Sequence, residues 1–270
     1  MFKKQALGVI IKSKLQSIIR ILNKAIFTKP LPNKISIYFH DIYTDEINQL
    51  KNIIIYFQDL GYKFQTISDF NNSISTNSKN ISITFDDGFK SWLTVDSLFS
   101  EFNIKGTFFV NSIFLSEKPP LPLYEKFLRD TKIYEKNKLI DSGSLQTLAK
   151  NGHEIGAHTH THRALRSLSK KDLLYEIEEN LKYLKSLQIH PVSFSVPYGM
   201  KRLVKNYQIK LLCEYFEIIC FGEPGMLFKK NKNLIERYPW KTERSFIYNI
   251  ENIKTDTSIF NKLTKRSGLG

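Results

Sequence analysis

Ile81-Ser82-Ile83-Thr84-Phe85-Asp86-Asp87-Gly88 is the stretch on which the fold reading turns. Its alternation of apolar and hydroxyl side chains is that of a strand, and it ends in two adjacent carboxylates and a glycine. Successive side chains on a strand point to opposite faces, so neighbouring aspartates cannot serve one site in mid-strand. They can where the strand ends and the backbone turns, and Gly88 permits such a turn. Carboxylates at the carboxyl end of a buried strand are where α/β proteins put chemistry. The competing reading is a helix N-cap, since Asp before an amphipathic run is a common start signal.

Outward from this stretch, apolar runs alternate with helical periodicity. Strands are predicted over Ile35–His40, Lys63–Ile67, Gly106–Val110, His153–Ala157, Val192–Val196, Phe216–Phe221 and Leu234–Tyr238. Helices are predicted over Glu46–Leu60, Phe89–Phe102, Tyr124–Lys136, Ser144–Lys150, Lys170–Leu187 with Ser169 as its N-cap, Lys201–Tyr215 and Glu243–Ile253. Asn71–Asn80 reads as a polar loop. Strands mostly followed by helices imply a parallel sheet, and right-handed crossovers at this length favour its closure. The expected fold is α/β: an irregular (β/α) barrel of seven or eight mostly parallel strands, with an open doubly wound sheet as runner-up.

The chain has 270 residues and a net charge of +14, which suits an anionic partner such as a membrane surface or a phosphate-bearing lipid. A Lys-rich compositional habit explains it equally, and no nucleic-acid-binding motif is present. Residues 1–30 are basic and amphipathic; their uncharged run Ala6–Ile11 is too short to span a bilayer, and an interfacial helix is the expectation. Pro30 and Pro32 mark the boundary to a folded domain over 31–260, with 261–270 as a frayed tail. Two cysteines, Cys213 and Cys220, make no disulfide framework; both are expected buried, in a reducing compartment.

Gly156-Ala157-His158-Thr159-His160-Thr161-His162-Arg163 holds half of the six histidines. Three imidazoles in so short a run are neither core packing nor a need of a solvated loop. Two His four residues apart, with a carboxylate from another strand end, make a ligand set for a divalent metal. Such a set leaves a coordination position open, as hydrolysis requires.

Taken with this cluster, Thr84-Phe85-Asp86-Asp87-Gly88 followed by His158-Thr159-x-x-His162 resembles the first two motifs of the polysaccharide deacetylases (NodB homology, carbohydrate esterase family 4). Gly152-His153-Glu154-Ile155-Gly156 matches their usual lead-in, and Ser195-Val196-Pro197-Tyr198-Gly199 resembles the third motif. The resemblance implies a metal held by Asp87, His158 and His162, Zn2+ first with Co2+ or Ni2+ as alternatives. It makes Asp86 the general base and assigns the backbone N–H of Tyr198 to the oxyanion.

The third motif usually begins with an Arg that orients the base; Ser195 stands there instead, as in relatives resembling poly-N-acetylglucosamine deacetylases. The late Leu-x-His that supplies a general acid is missing. Tyr38-Phe39-His40-Asp41-Ile42 resembles the element that substitutes for it, so His40 is the candidate acid and Asp41 a helper or a turn residue. Arg237-Tyr238-Pro239-Trp240 falls where that subgroup closes its barrel, and Trp240 is expected either to wall the acetyl pocket or to lie buried. His160 is expected outside the ligand set, and His153 and His190 are assigned to structure.

The implied activity is removal of N-acetyl groups from amino sugars of a surface polysaccharide or its polyprenyl-linked precursor. The expected location is cytoplasmic and peripheral on the inner membrane, with an exported enzyme as the alternative. Competing readings are a His-x-His amidohydrolase or phosphoesterase and a non-catalytic glycan-binding relative.

Overall fold

The computed structural model describes residues 30–73, 78–115, 119–131, 139–224 and 233–254. The expectations for residues 1–29 and for the tail from 255 lie outside the described residues. The chain divides into two compact units: 33–242, and 1–32 together with 243–270. The described helix of the second unit is Phe246–Lys254, read from sequence as Glu243–Ile253.

Unit 33–242 is built on one sheet. In chain order its strands are β1 (Lys34–Phe39), β2 (Lys63–Phe64), β3 (Asn80–Asp86), β4 (Thr107–Val110), β5 (Glu154–Ala157), β6 (Ser193–Ser195), β7 (Ile218–Phe221), β8 (Leu234–Glu236) and β9 (Tyr238–Pro239). Their spatial order is β8-β7-β6-β5-β4-β3-β1-β9, and every pairing is parallel. Helices α1 (Ile47–Asp59), α2 (Ile67–Asn72), α3 (Trp92–Glu101), α4 (Leu121–Asp130), α5 (Ser142–Lys150), α6 (Lys170–Ser186) and α7 (Asn206–Tyr215) lie between the strands. The result is the expected nearly closed parallel barrel.

Its irregularity has a specific cause. The lower half of β3 pairs with the two-residue β2, at Asn80 and Ile81, whereas β4 joins β3 only from Thr84 onward. The ends of the sheet are one segment of chain. Leu234–Glu236 pairs with β7 and Tyr238–Pro239 with β1, with Arg237 alone between them. Arg237 N–H donates to the Phe221 carbonyl at 2.8 Å, and Trp240 N–H to the Tyr38 carbonyl at 3.1 Å. The single strand read over Leu234–Tyr238 is therefore split, because one residue must turn from one neighbour to the other.

Alternation along β3 sorts its side chains. Phe85 packs outward on Trp92 and Phe99 of α3 and stacks on Phe108 at 5.0 Å. Thr84 and Asp86 point inward, where the guanidinium of Arg237 meets both. All seven residues of β3 are buried on both faces, as expected of a strand inside a barrel.

Several boundaries move for local reasons. Thr66 caps α2 by accepting from Asp69 N–H, so a short helix replaces part of the predicted strand and loop. Asp141 caps α5 at Ser142, and Pro122 sits in the first turn of α4. The predicted helix Lys201–Tyr215 is a 3-10 turn, Lys201–Leu203, followed by α7. Ser169 caps α6 in a complete capping box with Asp172. Cys220 is buried as expected, but Cys213 is exposed, because its position on α7 turns it away from the sheet.

Candidate active site

The candidate residues gather at the carboxyl ends of the strands. His40 follows β1, Asp86 ends β3 and Asp87 follows it, His158 follows β5, and Tyr198 follows β6. Together with His162 they line one cavity of about 380 Å³.

The adjacent aspartates reach this cavity because the chain leaves β3 in the left-handed region. Asp87 has φ 83° and Gly88 φ 81°; Asp is among the few side chains that tolerate this conformation. Asp87 N–H still donates to the Phe109 carbonyl at 3.1 Å, so the turn is tied to β4. Thr159 (φ 67°) and His162 (φ 57°) make a comparable turn after β5, and His162 N–H donates to Thr159 Oγ1 at 3.0 Å.

Asp87 Oδ1 lies 3.2 Å from His158 Nε2 and 3.2 Å from His162 Nε2. One ligand atom from each of the three residues lies within 4.8 Å of the others, and all three residues are buried. The Nδ1 of His158 is 2.7 Å from the Ser195 carbonyl, which can only accept, so Nδ1 carries the proton. In the neutral ring Nε2 then turns a lone pair toward Asp87. Asp87 Oδ1 is buried and has no hydrogen-bond partner. A carboxylate oxygen without a donor beside two imidazole nitrogens fits a divalent cation, and Asp87, His158 and His162 are the residues that would hold it. Without one, burial opposes charge on His158, but Asp87 and Asp86 outweigh it and its pKa is raised.

Asp86 has the opposite environment. Arg237 Nη1 and Nη2 donate to its two oxygens at 2.8 and 2.7 Å, and Ser195 Oγ donates at 3.1 Å. The guanidinium also donates to Thr84 Oγ1 at 2.8 Å and Ser195 Oγ at 2.6 Å. It lies over the rings of Tyr38 and Phe109, 4.7 and 5.2 Å from their centroids. Arg237 is 0% exposed. Burial would raise the Asp86 pKa, but the charge and hydrogen bonds of Arg237 prevail and hold it below the usual carboxylate value.

Arg237 is the site residue that sequence reasoning missed. Two signals were available: a lone Arg within the closing strand, and Ser195 where a guanidinium was expected. The small Ser195 leaves room for an arginine arriving from across the barrel.

His40 lies at the cavity mouth with its side chain 52% exposed, its Nε2 3.8 Å from Asp87 Oδ2. Asp41 accepts from Ser91 Oγ at 2.6 Å, fixing the turn that follows His40. The Tyr198 ring packs on His162 at 4.8 Å, and its hydroxyl donates to Asp130 at 3.3 Å. Burial and Asp130 push the Tyr198 phenol up to about 12. Gly199, at φ 64°, approaches Gly222 so closely that a Cβ would sit 2.7 Å from its backbone, which fixes the third-motif loop against the end of β7.

The other candidates lie elsewhere. His160 pairs with Ser112 Oγ at 2.8 Å and packs on Tyr175, outside the cluster. His153 is buried between Asp96 and the Gly106 N–H, and His190 is exposed. Trp240 is buried against Phe39 and is not part of the cavity lining.

A parallel barrel with paired aspartates and two imidazoles at its carboxyl-end mouth has a candidate site where such folds carry their chemistry. The polysaccharide deacetylase family model matches residues 73–211, more than half of the chain, and the chain belongs to that family. It is accordingly a hydrolase acting on amide bonds of acetylated sugars. No curated protein matches the sequence. Among solved structures the fold is similar to the de-N-acetylase from Aggregatibacter actinomycetemcomitans (17% identity, TM-score 0.64, covering 82% of this chain and 99% of that one). It is also similar to the Streptococcus pyogenes deacetylase PplD in complex with acetate (14%, 0.63, 82% and 96%). IcaB from Ammonifex degensii is a third such structure (14%, 0.61, 82% and 97%). At these identities the likeness speaks for the fold.

Proposed function

We propose that the protein is a metal-dependent N-deacetylase that removes acetyl groups from N-acetylated amino sugars of a surface polysaccharide or its lipid-linked precursor. The observation that carries this reading is the convergence of Asp87, His158 and His162 on one buried point beside Asp86. When bound, a divalent cation supplies Lewis-acid assistance to the acetyl carbonyl and makes water more acidic. Zn2+ suits the mixed imidazole and carboxylate donors, and Co2+ or Ni2+ suit them by the same chemistry.

The remaining work falls to the chain's own groups. Asp86, held ionised by Arg237, takes a proton from the water that attacks the acetamide carbon. The Tyr198 N–H stabilises the oxyanion that develops on the acetyl oxygen. His40 gives a proton to the departing amine, and its place at the open mouth of the cavity puts it on the side from which a sugar would enter. The Tyr198 ring offers an apolar surface for a sugar face, partly exposed and fixed against His162.

The net charge of +14 supports action on a substrate carried by an anionic lipid at the cytoplasmic membrane face. Among the described residues no helix is long and apolar enough to cross a membrane. The test is acetate release from N-acetylglucosamine oligosaccharides with added Zn2+, Co2+ or Ni2+. Release by the wild type and its loss in Asp86→Asn are expected. No acetate with any of the three cations would end the reading.

A further inference from the structure

Helix α6 presents a row of polar side chains to the interior where an amphipathic helix would place apolar ones. Its buried residues are Leu173, Glu176, Ile177, Asn180 and Leu184. Glu176 and Asn180, one turn apart, share a face. Glu176 is 1% exposed and Asn180 is 0% exposed. Burying a carboxylate costs free energy unless its oxygens are hydrogen-bonded, so this one calls for a physical reason.

The reason lies in its partners. One Glu176 oxygen accepts from Thr161 N–H at 2.7 Å, and the other accepts from the Thr161 hydroxyl. Thr161 is the residue immediately before His162. Asn180 Nδ2 donates to the Thr159 carbonyl at 2.7 Å and to the Val110 carbonyl at 3.1 Å. It thereby ties the residue after His158 to the end of β4. At the first anchor and just past the second the backbone is left-handed, at Thr159 and His162, neither of which is a glycine. Left-handed conformations at such residues are costly and persist only where their surroundings over-determine them.

We propose that Glu176, with Asn180, is a positioning residue that clamps the loop carrying His158 and His162 and so sets the spacing of their Nε2 atoms for a cation. The inference rests on the metal-dependent reading above. Glu176 touches neither ligand ring and takes no part in the reaction; it acts through Thr161. The carboxylate suits this task because it accepts two hydrogen bonds from one residue, fixing both position and rotation. Glutamine keeps one acceptor for the Thr161 N–H, but its N–H2 can meet the Thr161 hydroxyl only if that hydroxyl turns round to accept, and both charge-assisted bonds are lost.

The test is titration of metal-free protein with Co2+, followed by its visible absorption, for the wild type, Glu176→Gln, Thr161→Val and the exposed control Glu178→Gln. Outer-shell partners of metal ligands typically change affinity by roughly 10- to 100-fold. Glu176→Gln is expected to weaken Co2+ binding within that range and to alter the absorption envelope. Thr161→Val, which keeps the N–H and loses only the hydroxyl, should do so by a smaller factor. Glu178→Gln should match the wild type. Glu176→Asp, shorter but still able to accept twice, should recover part of the affinity.

Melting of each metal-free variant, measured in parallel, separates the clamp from general unfolding, and Thr161→Val serves where Glu176→Gln does not fold. Folded Glu176→Gln and Thr161→Val proteins with wild-type Co2+ affinity and spectrum would overturn the clamp while leaving the metal reading intact. A wild type that binds no Co2+ would overturn both.

Discussion

Asp86 and Asp87 are neighbours in sequence, both buried at 4% exposure, yet their environments differ in kind. Asp86 is completed by the protein: Arg237 and Ser195 supply its donors and a counter-charge. Asp87 faces imidazole nitrogens, and its Oδ1 has no hydrogen-bond partner. Burial would raise the Asp87 pKa, but the neighbouring imidazoles of His162 and His158 prevail and hold it well below the usual carboxylate value. On the proposed reading, the difference separates a group that acts from one that holds a cation.

The comparison breaks most sharply in activity. Asp86→Asn is expected to lower kcat by roughly 10²- to 10⁴-fold, the usual worth of a general base, while leaving Co2+ affinity within a few-fold of the wild type. Asp87→Asn should reverse that pattern, with cation binding lost first. Assays of acetate release beside Co2+ titrations read both, and equal loss of binding in the two variants would erase the distinction.

The next effect is in stability. Arg237→Met removes the partner of a buried charge, and such changes cost about 3–5 kcal/mol. Urea denaturation of metal-free protein should show a loss of that size. Asp87→Asn should cost less, because it leaves imidazoles that can turn neutral near pH 7 rather than an unpaired buried carboxylate. A larger loss in Asp87→Asn than in Arg237→Met would contradict the assignment of closed and open sites.

A smaller effect comes from His153, a buried imidazole that resembles Asp86 in having its partners supplied by the chain. Gly106 N–H donates to its Nδ1 at 3.1 Å, so the proton sits on Nε2, 2.9 Å from Asp96. Burial lowers its pKa from the ordinary 6.5, against the pull of Asp96. A lowered histidine pKa means the unfolded chain binds the extra proton first. Its contribution is therefore full above about pH 6.5 and is lost as pH falls below it, with a slope of at most ~1.4 kcal/mol per pH unit. Between pH 7.5 and 5 in metal-free protein, denaturation midpoints of the wild type should fall relative to those of His153→Gln, the opposing effect of the raised His158 being common to both.

Much of this architecture was legible in the chain because it rests on local pattern. Ile81–Phe85 alternates, Ser169 and Asp172 make a cap, and the His158 and His162 spacing follows a strand. What escaped the sequence depends on distant segments meeting. The positive φ of Asp87 follows from its tie to Phe109 on β4, not from Gly88 alone. The split closing strand depends on β7 and β1 standing either side of Leu234–Pro239. Arg237 reaches Asp86 across 151 residues, and no periodicity encodes such a meeting. Glu176 was hidden for a related reason: a glutamate on an amphipathic helix reads as solvated until its buried face is known.

The proposed chemistry requires one cation held at Asp87, His158 and His162. The direct measurement is metal content and acetate release of the full chain after chelation and after stepwise return of Zn2+, beside a His158→Ala/His162→Ala double variant. The expected result is activity that disappears on chelation and returns in step with one bound Zn2+ per chain, with neither binding nor recovery in the double variant. Undiminished acetate release from chelated protein, or stoichiometric Zn2+ retained by the double variant, would contradict it.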